Sequence, residues 1–325
     1  MYGIELTPEH PIDRIVDLAT QAEAEGFEAA LVSSHYFNRD PCMTLSQVAT
    51  ATEEIAVGPA ATNPYETHPV SLASSLATLQ ELSDGRAIFG LGPGDPSALS
   101  ALGIDRDRPL RRVLETFKVA RDLWDGQQVS IDSTFEAVDA DLKYAVEGEI
   151  PVYIGAQGPH MIRMSAKHAD GLLLNAAHPA DVAWAADRVE EGRADRPDEH
   201  GEFDFSVYAS VSVAEERTAA REAARRPVAF IAAGAPEPVL TRHDLDADRA
   251  ATIREAIESG DFSTAFETVT PAMIDAFAAA GTPAEVAERL EALLAHSDGI
   301  VVGTPLGPDL ETAVSLAADA LADAR

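Results

Sequence analysis

A (β/α)8 barrel is the fold class this sequence predicts, and three observations predict it. Short apolar strands alternate with amphipathic helices along the chain, eight times over. Strand ends run into glycine-rich turns at Ile88-Phe89-Gly90-Leu91-Gly92-Pro93-Gly94-Asp95-Pro96, at Tyr153-Ile154-Gly155-Ala156-Gln157-Gly158-Pro159 and at Val301-Val302-Gly303-Thr304-Pro305-Leu306-Gly307-Pro308. Such junctions put ligand-ready backbone at the carboxyl ends of strands. The 325 residues exceed the roughly 250 of a typical barrel. The excess collects in one helical insertion over 215–298, before the eighth strand, within a single domain spanning 1–325. A doubly wound open sheet is the alternative. Gly90-Leu91-Gly92-Pro93-Gly94 does not serve as its dinucleotide fingerprint, being mid-chain and breaking the G-x-G-x-x-G spacing.

The elements follow in order. Residues 2–6 read as a strand with Glu5 near its carboxyl end, and Pro11 opens a helix that Gly26 stops. A second strand over 27–32 leads into the polar, aromatic loop Ser33 to Asp40, and a helix covers 41–52. The third strand, 55–62, ends in Asn63-Pro64-Tyr65-Glu66; a helix over 70–83 stops at Asp84-Gly85. The fourth strand starts at Arg86 and ends at the glycines, with Asp95 placed to cap the next helix. A long helix over 109–125 precedes a hairpin excursion over 127–146. Strands five (151–155), six (171–175) and seven (203–213) each lead into helix, the region 215–297 is almost wholly helical, and strand eight (299–303) precedes a final helix from Asp309.

Composition narrows the function. Asp and Glu total 55 against 24 Lys and Arg, for a net charge of -31. That balance sets nucleic-acid binding aside, since a basic surface is needed there. The acids spread along the whole chain, and only Lys118, Lys143 and Lys167 are lysines. This is the pattern expected of a salt-adapted, halophilic protein, because in molar salt the Debye length of about 3 Å screens self-repulsion. No apolar run suits a membrane span, and no basic leader precedes Met1-Tyr2-Gly3, so a cytoplasmic protein without a membrane partner is expected. The single cysteine, Cys42, excludes an intrachain disulfide and is expected on an apolar helix face. No histidine or cysteine spacing suggests a metal.

Several residues could carry chemistry. Glu5 is a lone acid in an apolar strand: either a general acid in a water-poor barrel mouth or a carboxylate paired with an arginine. His35 and Asn38 could hydrogen-bond a heterocycle or merely shape their loop, and His178, after Asn175, carries the same two readings. Asp95 as a helix cap needs no ligand. Gly155 to Gly158 could hold phosphate through backbone N–H groups, or simply turn the chain.

Taken together, Gly3-Ile4-Glu5, His35-Tyr36-x-Asn38-Arg39-Asp40, Gly58-Pro59-x-x-Thr62-Asn63-x-Tyr65, Gly90-Leu91-Gly92-Pro93-Gly94-Asp95, Gly155-Ala156-Gln157-Gly158-Pro159 and Ala169-Asp170-Gly171-x-Leu173-x-Asn175-Ala176-x-His178-Pro179 resemble the methylenetetrahydromethanopterin reductase family. These are luciferase-like barrels that use the deazaflavin coenzyme F420. The resemblance runs end to end and suggests a salt-adapted archaeal member. It implies hydride transfer from reduced F420 to the methylene group of a tetrahydropterin one-carbon carrier, tetrahydromethanopterin or tetrahydrofolate. It also implies Glu5 as general acid, Asp95 as a second catalytic residue near the pterin or the amine nitrogen, and a non-prolyl cis peptide at Ala60-Ala61. Cofactor contacts are implied at Ser34, His35 and Asn38; at Ala60, Ala61, Thr62 and Asn63; at Gly92, Pro93 and Gly94; at Gly155, Ala156, Gln157 and Gly158; and at Asn175 and His178. A homodimer or homotetramer is implied likewise. The alternatives are an FMN monooxygenase or another F420-dependent dehydrogenase on the same barrel, or a non-catalytic deazaflavin-binding protein.

Overall fold

The computed structural model describes residues 1–35 and 37–325, so Tyr36, expected in the polar, aromatic loop, lies outside the described residues. The chain divides into two compact units.

The first unit comprises Met1–Leu174 and Ala185–Ser206. It opens with β1 (Tyr2–Leu6), α1 (Ile12–Ala24), β2 (Ala29–Val32), α2 (Pro41–Ala51), β3 (Ala56–Pro59), α3 (Pro69–Leu82), β4 (Phe89–Leu91), the short α4 (Pro96–Ala101) and α5 (Pro109–Trp124). An antiparallel hairpin of β5 (Val129–Asp132) and β6 (Glu136–Ala140) follows, where the sequence predicts an excursion. Then come β7 (Val152–Gly155), α6 (Pro159–His168), β8 (Gly171–Asn175) and α7 (Pro179–Arg193). The strands pair in parallel and in chain order. Glu5 of β1 lies opposite Leu31 of β2, and Leu31 opposite Gly58 of β3. Single bridges, Val57 to Ala87 and Thr62 to Leu91, join the third and fourth strand regions. Phe89 then faces Val152, and Ile154 faces Leu172.

Apolar strands in a parallel sheet covered on both faces read as unbroken hydrophobic runs. β2 is buried throughout, as are Val152, Tyr153 and Ile154 of β7. The ladders of β3 and β4 are shorter than the apolar runs that announce them, because burial continues where pairing does not. Ile88 is buried outside the ladder, and beyond Pro59 the chain turns through a cis peptide at Ala60-Ala61. Gly90 shows why this junction excludes a side chain: a Cβ there would stand 1.8 Å from the carbonyl oxygen of Pro59. Cys42 lies on the exposed side of α2, not on an apolar face, because its position in the first turn faces outward while Thr44, Leu45, Val48 and Ala49 pack inward.

The second unit comprises Asn175–Trp184 and Val207–Arg325. It holds most of β9 (Asp204–Val213), then α8 (Arg217–Gly234), α9 (Glu237–Arg242), α10 (Ala247–Glu258), α11 (Phe262–Thr268), α12 (Pro271–Phe277), β10 (Ala279–Gly281), α13 (Pro283–Leu294), β11 (Gly299–Leu306) and α14 (Leu310–Asp323). Its helices share an alanine-rich core in which Val228, Ile253 and Met273 are fully buried. Side-chain caps start five of them, α10 to α14: Asp246, Asp261, Thr270, a Thr282–Glu285 capping box, and Asp309. The region expected to be almost wholly helical also contains β10, which pairs in parallel with β9, Ala279 opposite Val211. Ala278 and Ala279 are buried between two helices, so their backbone groups need partners that a strand supplies. β11 runs past the predicted stop at Gly303 to Leu306, through a cis Thr304-Pro305 bond. Among the described residues no helix is long and apolar enough to cross a membrane, and no group of His, Cys, Asp and Glu could hold a metal ion.

Candidate functional site

The loops at the carboxyl ends of four consecutive strands of the first unit enclose a cavity of about 220 Å³. Ser34 and His35 come from the end of β2, Ala61, Asn63 and Glu66 from the end of β3, and Gly92, Pro93, Gly94 and Asp95 from the end of β4. Ala98 and Leu99 of α4 and Gly155 of β7 complete the lining. Its floor is backbone and one methyl group. A Cβ added at either Gly92 or Gly155 would come to 3.6 Å from Cβ of Ala61, so the Ala61 methyl sits between two glycines. Gly94 makes the exit turn at φ +73°, and a Cβ there would meet Leu99 Cδ1 at 2.7 Å. The lining is mostly backbone and apolar side chains with few polar groups, the usual plan of a small-molecule site.

Those polar groups are held in place. Asp95 is the N-cap of α4, as the sequence predicts: Oδ1 accepts the Ala98 N–H at 2.8 Å and the Ser97 hydroxyl. Burial works to raise its carboxyl, but these hydrogen bonds, with His35 nearby, leave it below the ordinary range. Asp95 is thus an anion at neutral pH. His35 responds oppositely. Burial lowers the imidazole below its usual value although Asp95 and Glu66 pull it up, so the ring is neutral at pH 7. Phe37 packs against it, the ring centroids 3.7 Å apart. Below the loop, Ser33 Oγ is buried with no hydrogen-bond partner among the described residues.

Asn63 is almost fully engaged by its own turn. Its Oδ1 accepts the N–H groups of Tyr65 (3.0 Å) and Glu66 (3.1 Å), and its Nδ2 donates to Glu66 Oε2 at 2.6 Å. Only one side-chain N–H remains for a ligand. Glu66 lines the cavity, yet the sequence reading passed over it. Its signal was present in Asn63-Pro64-Tyr65-Glu66, where an Asn side chain capping a turn three residues before an acid is a recognisable pattern.

The other predicted residues lie elsewhere. Glu5 is 1% exposed and does not line the cavity; Thr7 Oγ donates to its Oε1 at 3.0 Å and lies 3.3 Å from its Oε2. Asn38 shapes the loop, its N–H donating to the His35 carbonyl at 2.9 Å. Ala60 N–H donates to Val32 O at 2.9 Å, and Thr62 exchanges backbone bonds with Gly90 and Gly92. Ala156 is buried, whereas Gln157 and Gly158 are exposed where α6 begins, with no side-chain cap. Asn175 and His178 belong to the second unit. There, His178 Nδ1 accepts the Ala180 N–H at 3.2 Å, which leaves the ring proton on Nε2, and its centroid lies 4.6 Å from that of His243. Burial, then His243 and Arg289, hold His178 below its ordinary value against Asp181.

Known proteins share this plan. The luciferase-like monooxygenase family profile matches residues 3–300. The 5,10-methylenetetrahydromethanopterin reductase of Archaeoglobus fulgidus is 39% identical over 321 residues, covering 97% of this chain and 96% of that protein. The enzyme of the same name from Methanolobus tindarius is 37% identical over 317 residues, covering 97% of each. The solved structure of the coenzyme F420 dependent tetrahydromethanopterin reductase from Methanopyrus kandleri superposes with a TM-score of 0.91 at 37% identity, over 99% of this chain and 98% of that one. The (β/α)8 barrel expected from the alternating elements is therefore the fold of this chain. Its strand-end cavity stands where barrels of this kind place their ligands, and the chain belongs to the luciferase-like family and, within it, to the 5,10-methylenetetrahydromethanopterin reductases.

Proposed function

We propose that this protein is an oxidoreductase that reduces the methylene group of a tetrahydropterin one-carbon carrier to a methyl group, using reduced coenzyme F420. The observation that carries the reading is the end-to-end likeness to reductases of that name, at 37–39% identity. The cavity suits a heterocycle: glycines around the Ala61 methyl, a neutral imidazole, and the Asp95 anion near that imidazole. Ligand pockets usually span roughly 300–1,000 Å³, so a cavity of about 220 Å³ suits a ring system whose arms extend beyond it. Coenzyme F420, when bound, supplies the hydride.

The remaining roles belong to the chain's own residues. Ala61, Gly92 and Gly155 would support one face of the ring, and His35 and the free N–H of Asn63 would meet its polar edge. The N–H groups at Gly155 to Gly158 would hold a phosphate on the cofactor tail. Glu5, steadied by the Thr7 hydroxyl, would hold a proton on a carboxyl oxygen. It would deliver that proton to the bridge nitrogen of the methylene carrier, so the bridge opens to an electrophilic iminium. The anionic Asp95 would lie where positive charge develops on the substrate.

The test is oxidation of reduced F420 in molar salt, a condition chosen for the net charge of -31. Methylene-tetrahydromethanopterin is the expected substrate and methylene-tetrahydrofolate the comparison; turnover with neither would overturn the reading. The same reading makes the protein a cytoplasmic homodimer or homotetramer, which light scattering would check.

A further inference from the structure

We propose that Arg106 and Arg112 form an anion-binding rim beside the cavity, which holds phosphate or carboxylate groups on the arm of a ligand whose ring lies inside. This rests on the function proposed above. In a chain of net charge -31, four arginines fall within the seven positions from Arg106 to Arg112. Two of them are tied to the loops that build the cavity. Arg106 Nε donates to the carbonyl of Pro93, a lining residue, at 2.8 Å. Arg112 Nε donates to the carbonyl of Pro64, next to the lining Asn63, at 2.9 Å, and its NH1 donates to Thr134 O at 2.7 Å. The Arg112 guanidinium lies over the Tyr65 ring, 4.6 Å from the centroid, while the Tyr65 hydroxyl donates to Asp107 O at 2.6 Å. Burial raises the Tyr65 phenol, and Arg112 and Arg106 pull it back down against Asp107.

The local acids take two of these four cations, and Arg108 NH2 also donates to Ser133 O at 3.2 Å. Asp107 pairs with Arg108 at 2.8 Å, and Glu115 takes Arg111 at 2.7 Å together with the Ser133 and Thr134 hydroxyls. Arg106 and Arg112 make no ion pair with a carboxylate among the described residues. Both are anchored through Nε, and the terminal nitrogens of exposed Arg106 and NH2 of Arg112 remain available. A planar guanidinium fixed in this way matches carboxylate and phosphate groups two bonds at a time. Helix stability does not explain the cluster. Arg108 is the N-cap of α5 at φ 44° with no side-chain cap bond, and the first turn holds no acid. Cations at that end oppose the helix dipole, whereas α13 starts with its capping box and Glu285.

The anionic arm could belong to the pterin carrier or to the cofactor. We assign it to the carrier, because the cofactor tail already has the Gly155 to Gly158 turn. The experiment compares wild type, Arg106→Ala, Arg106→Ala/Arg112→Gln and the control Arg249→Ala, on the exposed face of α10. KM is measured for the methylene carrier and for a methylene-tetrahydropterin without its anionic arm. Kd is measured for F420 and for its tail-less deazaflavin, and inorganic pyrophosphate binding is followed by calorimetry. The expected result is a KM for the full carrier raised ~10-fold in the single and ~100-fold in the double variant. The armless substrate, F420 affinity and the control should be unmoved, and pyrophosphate binding should be lost in the double variant. An unchanged KM for the full carrier in Arg106→Ala, which alters one exposed side chain, overturns the rim. Weakened F420 but not tail-less deazaflavin moves the arm to the cofactor and overturns the assignment. If wild type turns over no methylene-pterin, the function reading fails, while pyrophosphate binding still judges the rim.

Discussion

Two arginine clusters in the first unit use the same side chain for opposite ends. At the amino ends of β8 and β9, Arg196 is saturated: Nε donates to Gly201 O, NH1 to Ala166 O and Ala169 O, and NH2 to His200 O and Glu202 O. Arg121 beside it spans His168 O and Asp170 Oδ2, and Asp170 Oδ2 also accepts the Val152 N–H at 2.7 Å. At the carboxyl ends, Arg106 Nε holds the carbonyl of the lining Pro93, Arg112 holds Pro64 O and Thr134 O, and the terminal nitrogens of Arg106 and NH2 of Arg112 stay unspent. Where every donor is satisfied by the protein, the charge stabilises the barrel. Where donors are held in place but left over, they await a ligand. Side chains at the carboxyl ends should therefore change rates with little change in melting, and those at the amino ends the reverse.

The largest effect is expected at the first strand. Glu5→Gln keeps the shape and the Thr7 contact but removes the acidic proton. Turnover should fall by roughly 10²–10⁴-fold while F420 binding and melting temperature hold. Near-normal turnover in single-turnover oxidation of reduced F420 would remove Glu5 from the mechanism. At the other end, Arg196→Ala strands several backbone carbonyls at once. Each buried acceptor left alone costs about 1–3 kcal/mol; since some will find water, a net loss of roughly 3 kcal/mol is expected in a urea melt. Turnover per folded molecule should be unchanged. A rate loss without a stability loss in that variant would break the contrast between the two ends.

Asp95 sits between these extremes, since it caps a helix and also faces the cavity. Asn is as good an N-cap as Asp, so Asp95→Asn should leave stability within a few tenths of a kcal/mol. Removing the charge should slow turnover ~10-fold and lower the His35 pKa further, because Asp95 is the first of the charges that raise it. If Asp95→Asn matches wild type in rate, its role is structural alone.

The comparison also marks what the residues could say in advance. Eight strand–helix alternations, the glycine junctions and the Asp95 cap were legible because each depends on a few neighbours in sequence. The floor around Ala61 was half legible: Gly92 and Gly155 announce close approach, but only pairing of their strands shows that both approach the same methyl. The rim was not, since its meaning lies in partners 13 and 48 positions away, Pro93 for Arg106 and Pro64 for Arg112. The short ladders of β3 and β4 were missed because apolar runs report burial, and burial extends past the last paired residue.

The smallest effect is a pH effect at the amino-end cluster. Burial first, then Lys118, Lys167, His200 and Arg196, lower the His168 imidazole to about 4. The unfolded ring takes its proton near pH 6.5, so between these values the unfolded chain binds more protons than the folded one. The ring's contribution is thus fully present above pH 6.5 and is lost as pH falls toward 4. The ring is partly exposed and solvent screens its neighbours, so the loss is on the order of 1 kcal/mol. Urea melts at pH 7 and pH 4.5 would measure it against His168→Gln, which cannot take the proton. Wild type should lose more stability than the variant over that interval, and identical losses would mean that folding leaves the titration of this ring unchanged.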